Sequence, residues 1–303
     1  MSRRCRRLAC MAALCALASL PVAAAPSCPP ADDAAPGLSA WRQPDFMSQS
    51  SDALLAWATG MVGCLSHPNP AWRDGQAYEG LSTLLRKAVL TPAAQAALAE
   101  SLLQVLQAPD PAYFGPPFAA LVLAELVAAD ARRPALPLPL LQRIGREGAA
   151  FLASVQDRRG FDAQQGWRHA VAHGADWVAA IAGHPGLRAS GLHAALRDAV
   201  AAQLAPSGHR YTEGESERLM VAVVHLARSG CFSAADWKAW FLRQLDPSPM
   251  GSWAEAFGSA LGLTRRHNLR GFLFAVLVEV RLNQDATDDL LLPAAEAALR
   301  AMR

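Results

Sequence analysis

The stretch Gly166-Trp167-Arg168-His169-Ala170-Val171-Ala172-His173-Gly174-Ala175-Asp176-Trp177-Val178-Ala179-Ala180-Ile181-Ala182 decides how this chain is read. Its apolar residues recur at helical spacing and do not alternate, which predicts an α-helix from about Gly166 to Ala182. At 100° per residue His169, His173 and Asp176 fall at i, i+4 and i+7, on a stripe roughly 60° wide. Trp167, Ala170, Val171, Trp177, Val178 and Ile181 centre about 130° away. The wheel therefore expects two imidazoles and one carboxyl off the core-packing face, on open solvent or the wall of a groove. Gly174 costs about 1 kcal/mol relative to Ala inside a helix, so it asks for a neighbouring helix or ligand close to the backbone.

The same period extends outward in both directions. Helices are expected at about 51–65, 72–89, 92–106, 117–129 and 139–155 before this stretch. After it they are expected at about 190–204, 215–228, 233–245, 252–261, 268–282 and 286–302. Thr91-Pro92 is a capped start, with Thr as N-cap and Pro in the first turn. β-Branched residues are scarce and period-two alternation is absent, so almost nothing reads as strand. Helices of this length joined by short Pro/Gly loops predict an all-α protein. The expected architecture is stacked helical hairpins in an α-α superhelix of the HEAT or armadillo kind, or a closed α/α toroid. Trp72-Arg73-Asp74…Tyr78 echoes Trp167-Arg168-His169…His173 at a spacing of 95 residues, as stacked units would.

The N-terminus carries Arg3, Arg4, Arg6 and Arg7, an apolar run from Leu8 to Leu20, and small residues up to Ala25. That pattern predicts a secretory signal peptide over 1–25, because the run is too short to span a bilayer. A Pro/Ala-rich leader would follow over 26–46, then a single helical-repeat domain over 47–303. Cleavage after Ala25 would take four of the 28 basic residues and no acid, leaving 24 basic against 26 acidic. No basic stripe then remains for nucleic acid. The mature chain has no membrane span, and a periplasmic or secreted location is expected. Cys28, Cys64 and Cys231 survive cleavage, allowing one disulfide and one spare thiol in an oxidising compartment. Cys28–Cys64 is the expected pair and Cys64–Cys231 the alternative.

With these residues in view, the chain resembles a bacterial family catalogued as domain of unknown function 2785. The resemblance rests on Gly166-Trp167-x-His169-Ala170-x-Ala172-His173-Gly174-Ala175-Asp176. Weaker support comes from Arg73-Asp74…Tyr78, Glu217-Arg218-Leu219 and Asn268-Leu269-Arg270. It implies an α-helical repeat fold over nearly all the mature chain and supplies no activity.

Three chemistries fit the residues. His169 and His173, one helical turn apart, can clasp an ion such as zinc with Asp176 as a third donor. Ala170 stands where a zincin would carry its glutamate, so that protease mechanism is unsupported. Asp74, Asp176 and Glu217 can act as paired carboxyls beside Trp167 or Trp72 as a stacking platform, as in a metal- or carboxylate-dependent envelope hydrolase of glycan or peptide. The leading expectation is non-catalytic: a binding or scaffold module for an envelope protein, a peptide or a glycan. Its groove would be lined by Arg73, Asp74, Tyr78, Trp167, His169, His173, Asp176, Glu217 and Arg270. No phosphate loop, nucleophile elbow or CxxC motif occurs.

Overall fold

Side-chain caps open α1, α2, α4 and α10. The Ser50 side chain accepts from Ala53 N–H to open α1 (Ser51–Cys64). Asn69 caps α2 (Pro70–Trp72), which runs through a π turn at Arg73–Tyr78 into α3 (Glu79–Lys87). Thr91 caps α4 (Pro92–Gln107), with Pro92 in the first turn. Next come α5 (Gly115–Arg132) and α6 (Leu138–Ser154), and beyond a small hairpin α7 (Ala170–Ala182), α8 (His193–Gln203) and α9 (Glu215–Arg228). A reciprocal Ser233/Asp236 capping box opens α10 (Ala234–Gln244), and α11 (Ala260–Asn283) and α12 (Leu292–Ala301) close the chain.

This computed structural model describes residues 28, 38–283 and 285–302. The signal peptide expected over 1–25 lies outside the described residues, as does most of the 26–46 leader. The described end of that leader forms 3-10 turns at Leu38–Arg42 and Phe46–Ser48. Phe46 is buried against Trp57, with ring centroids 5.1 Å apart. The expected Cys28–Cys64 disulfide is formed, and Cys231 is an exposed free thiol. Among the described residues no helix is long and apolar enough to cross a membrane.

The protein is mostly helical. α5, α7, α9 and α11 pack in sequence, each on the next, and α7 makes its most extensive contacts with α5 and α9. α4, α6 and α8 lie behind them: α4 packs on α5, and α6 packs on both α7 and α8. α7 is thus covered on several sides, and most of its residues are buried, including Trp177 and Ile181. A Cβ on Gly174 would sit 3.1 Å from Leu152 Cδ1 and 3.2 Å from Phe151, so the close neighbour is α6.

Three elements depart from the sequence expectation. The helix expected from Gly166 starts at Ala170. The residues before it form a two-residue antiparallel ladder, β1 (Phe161–Asp162) with β2 (Gly166–Trp167). Arg168 N–H and His169 N–H extend that ladder by donating to Gly160 O and Arg159 O at 2.9 and 3.0 Å. Those bonds hold the segment out of a helix, and His169 adopts a left-handed φ of 58° as it enters α7. Gly166 has φ +73° with Arg73 Nη2 at 3.0 Å from its would-be Cβ, a position only glycine occupies without strain. The helix expected at 252–261 shrinks to a 3-10 turn, Glu255–Gly258, where Glu255 turns back to accept from Gly251 N–H at 3.0 Å. α11 begins eight residues earlier than expected, at Ala260.

Candidate functional site

Along α3, α5, α7 and the start of α9 runs a groove of about 830 Å³. The π turn and α3 supply Asp74, Tyr78, Glu79 and Arg86. α5 supplies Phe118, Leu121, Glu125 and Ala128, and α7 supplies His173, Asp176 and Ala180. Trp167 and His169 enter from the hairpin side, Glu213 and Arg218 from the start of α9. A π turn adds a residue to the helical turn and shifts the stripe that follows, a device frequent at functional sites.

One wall is a run of rings. Phe161 and Trp167 meet edge-on at 5.0 Å, and Trp167 stacks on His169 at 4.7 Å. His169 meets His173 at 5.7 Å, His173 meets Phe118 at 5.2 Å, and Phe118 meets Tyr78 at 6.3 Å. Phe161 and Trp167 are 56% and 36% exposed, so the outer end of this run is open to a ligand. The opposite chemistry is charge, with each lining arginine held by a carboxylate. Arg218 Nη1 holds both oxygens of Asp176 at 2.8 and 2.9 Å. Arg86 Nε donates to Glu125 at 3.1 Å, with a second contact from its Nη2, and Tyr78 Oη lies 3.5 Å from the same carboxylate. Arg73 Nε lies 2.7 Å from Asp74.

The imidazoles are neutral. Burial holds His173 down at about 3, with His169 adding to the shift. Its Nδ1 lies 3.1 Å from the Pro117 carbonyl, which can only accept, so Nδ1 carries the proton and Nε2 keeps the lone pair. Burial likewise holds His169 down at about 4, with Arg218 next in weight. Asp74 and Asp176 are pushed up by burial against the pull of Arg73 and Arg218. The Tyr78 hydroxyl is also raised, by burial and then by Glu125.

Of the residues named from sequence, Asp74, Tyr78, Trp167, His169, His173 and Asp176 line this one groove. Arg73 does not line it: it is fully buried behind Asp74, donating to the His67 and Gln165 carbonyls and lying over the Phe114 ring at 4.2 Å. Glu217 is exposed outside the groove. Arg270 is on α11, where it donates to the Met302 carbonyl and lies over Phe274, so it also falls outside. His173 departs from the helical-wheel expectation, because α5 covers the side of α7 that the wheel left open.

His169, His173 and Asp176 do not form a set whose donor atoms all lie within 4.8 Å of one another. Among the described residues the set of His, Cys, Asp and Glu whose donor atoms lie within 4.8 Å of one another is His209, Glu213 and Glu215. Asp176 is instead taken up by the Arg218 guanidinium. Sequence reasoning missed Arg86, Phe118, Glu125, Glu213, Glu215 and Arg218. Glu125 had a signal, as the one acid within an otherwise apolar run of α5. Glu215 had another: it precedes buried Leu219 by four residues, which puts a carboxyl on the core face of α9.

A family model described as "Protein of unknown function (DUF2785)" matches residues 102–278. That is more than half of the chain, and the chain belongs to this family. No curated protein and no solved structure gives a significant match.

Proposed function

We propose that this member of the family is an exported helical-repeat protein whose groove binds a neutral, hydroxyl-rich ligand, a glycan of the cell envelope. The observation that carries the reading is the pairing of an open aromatic platform, Phe161 and Trp167, with arginines already bound to carboxylates inside the groove. A sugar offers an apolar ring face to an aromatic and a fringe of hydroxyls that both donate and accept. Asp176 and Glu125 can accept from such hydroxyls while Arg218 and Arg86 donate to them. A strongly anionic ligand would find no free cation among the described lining residues, because the groove's arginines are already bound to its acids. Export is supported by the N-terminal pattern of basic and apolar residues and by the disulfide, which persists only in an oxidising compartment. The serial packing of α5, α7, α9 and α11 with a second row behind it suits a superhelical repeat stack, and the groove would be its inner face.

Titration of the untagged protein with a panel of neutral oligosaccharides, followed by tryptophan fluorescence and calorimetry, tests the reading. Trp167→Ala is expected to weaken binding at least tenfold with little change in melting temperature, since Trp167 sits at the groove mouth. Affinity for peptides in place of oligosaccharides, or sugar binding indifferent to Trp167→Ala, would defeat the glycan assignment. A hydrolase on the same groove is a second reading, favoured by Asp74 and Asp176, two carboxyls raised by burial along one cavity. Release of new reducing ends from a bound glycan would select it.

A further inference from the structure

At the end of the groove nearest α9, the loop 204–214 brings Glu213 against Gly160 beside the hairpin and gathers groups that the glycan reading does not use. His209, Glu213 and Glu215 each offer a donor atom, all within 4.8 Å of one another. Glu215 is 1% exposed, and its Oε1 has no hydrogen-bond partner. His209 Nε2 is also buried without a partner, and so is Nε2 of His169, which lies 3.9 Å from Glu215 Oε1. Three orphaned polar atoms in one place are costly, since each has given up water for nothing. Elsewhere buried carboxylates are answered: Asp288 by Arg228, and Asp130 by His184 and two backbone N–H groups. Among the described residues no arginine or lysine ion pair reaches Glu213 or Glu215.

We propose that His209, Glu213 and Glu215 form a binding site for a divalent transition-metal ion of the zinc class, with His169 as the flanking fourth donor. Two carboxylates and neutral imidazole nitrogens are a donor set that zinc accepts, and the two glutamate charges match the charge of the ion. Donors at about 2.1 Å from a tetrahedral ion stand roughly 3.4 Å apart. The donors, now within 4.8 Å of one another, close to that spacing when the ion enters, and the orphaned atoms gain the partner they lack.

The surrounding residues hold this loop in place. Asn268, on α11, donates from Nδ2 to the carbonyls of Pro206 and His209 at 3.0 and 2.8 Å, and its Oδ1 accepts from Tyr211 N–H at 2.9 Å. Tyr211 Oη donates to the Gln203 carbonyl at 2.9 Å. Gly214, at φ +90°, reverses the chain between the two glutamates so that both carboxylates meet on one side. Glu213 N–H donates to Glu215 Oε2 at 3.0 Å, which leaves Oε1 as the free ligand atom. Asn268 is thus a positioning residue of the kind that orients metal ligands from outside the coordination sphere. Its place in the Asn268-Leu269-Arg270 motif acquires a physical reason.

The test uses the full-length, untagged protein, stripped with a chelator, dialysed, and titrated with zinc chloride by calorimetry, with metal content read by mass spectrometry. One zinc per chain is expected, together with a rise of several degrees in melting temperature. Glu215→Gln and His209→Ala should each weaken zinc binding at least 100-fold, and His173→Ala should leave it unchanged. Asn268→Ala should weaken binding about 10-fold to 100-fold. Cobalt in place of zinc should give a visible tetrahedral absorption band that disappears in Glu215→Gln. Should Glu215→Gln lose its helical circular dichroism, Glu213→Gln, on the less buried ligand, reads the same loss in a folded chain. No stoichiometric uptake by the stripped protein, or uptake that survives both Glu215→Gln and His209→Ala, overturns the site. Loss in His173→Ala with retention in Glu215→Gln would move the ion to the His169–His173 pair and overturn it equally. None of these outcomes depends on what the groove binds.

Discussion

Two buried histidine–carboxylate contacts in this protein are built in opposite ways. Between α5 and the turn after α7, His184 Nε2 lies 3.0 Å from Asp130 Oδ2. Asp130 Oδ1 accepts from the N–H groups of Ala135 and Leu136 at 2.7 and 2.8 Å, and His184 Nδ1 accepts from Gly186 N–H at 3.1 Å. Both carboxylate oxygens and both ring nitrogens are satisfied. Between the hairpin and α9, His169 and Glu215 stand 3.9 Å apart, and the facing atoms have no partner. A saturated pair does one job, which is to fix α5 to the loops it meets. An unsaturated pair keeps free valence, and a protein retains that at a cost only where something else is to be bound.

The contrast in ionisation follows from the same cause. Burial by itself pushes the Asp130 carboxyl up, but hydrogen bonds from His184, Leu136 and Ala135 outweigh it and hold the group below its ordinary value. Burial of Glu215 meets weaker opposition and pushes it up to about 7. The first carboxylate is kept charged by its neighbours. The second is held near its midpoint at neutral pH.

The largest expected effect tests the saturated pair. Asp130→Ala removes one member of a satisfied buried contact and strands His184 and two backbone N–H groups. A loss of about 3–5 kcal/mol in unfolding free energy is expected, measured by urea denaturation. Groove binding in the surviving folded fraction should be unchanged. A loss under about 1 kcal/mol would break the comparison at its structural end.

Next in size is the pH dependence set by the groove imidazoles. His169 and His173 sit at about 4 and about 3 in the folded state against about 6.5 when unfolded. The unfolded chain therefore binds the extra protons, and stability is full above pH 6.5 and falls as pH drops through the window down to 3. Each histidine contributes a slope of up to about 1.4 kcal/mol per pH unit. Replacing His173 with Phe, which suits the ring contact to Phe118, should lower stability at pH 7 but remove one histidine's share of that slope. Denaturation at pH 7, 6 and 5 reads it.

The smallest effect carries the opposite sign. Glu215 is raised in the fold, so the folded state holds the extra proton between pH 4.5 and 7, and stability falls as pH rises through that window. In metal-free protein Glu215→Gln should be more stabilising at pH 8 than at pH 5, read by denaturation at the two pH values. A clear destabilisation at pH 8 would mean that Glu215 has a partner after all, and the two pairs would then be of one kind.

Much of the helical framework was legible from spacing and caps. Thr91-Pro92, Ser51-Asp52 and Glu215–Arg228 gave correct starts, because an N-cap and an apolar period are local facts. The hairpin before α7 was not legible. Gly166-Trp167-Arg168-His169 carries a helical pattern, and its ladder depends on Arg159 and Gly160, which no wheel through the motif includes. The groove was half legible: Trp167, His169, His173 and Asp176 lie within ten residues, and Asp74 and Tyr78 echo them at the repeat spacing. Glu217 and Arg270 were drawn in by proximity to motif residues, while Glu215 and Arg218, on the other faces of the same helix turn, are the ones that meet the site.

What the sequence determined alone is what depends on neighbours within about four residues: helix against strand, the caps, and the count of cysteines available for a bridge. Which charges are answered and which are left open was decided only by tertiary structure. Asp130 finds its histidine 54 residues away, Asp176 its arginine 42 residues away, and Glu215 finds none. A carboxylate's free energy depends on the water it loses and the donors it gains, and both quantities come into being only when distant segments close over it.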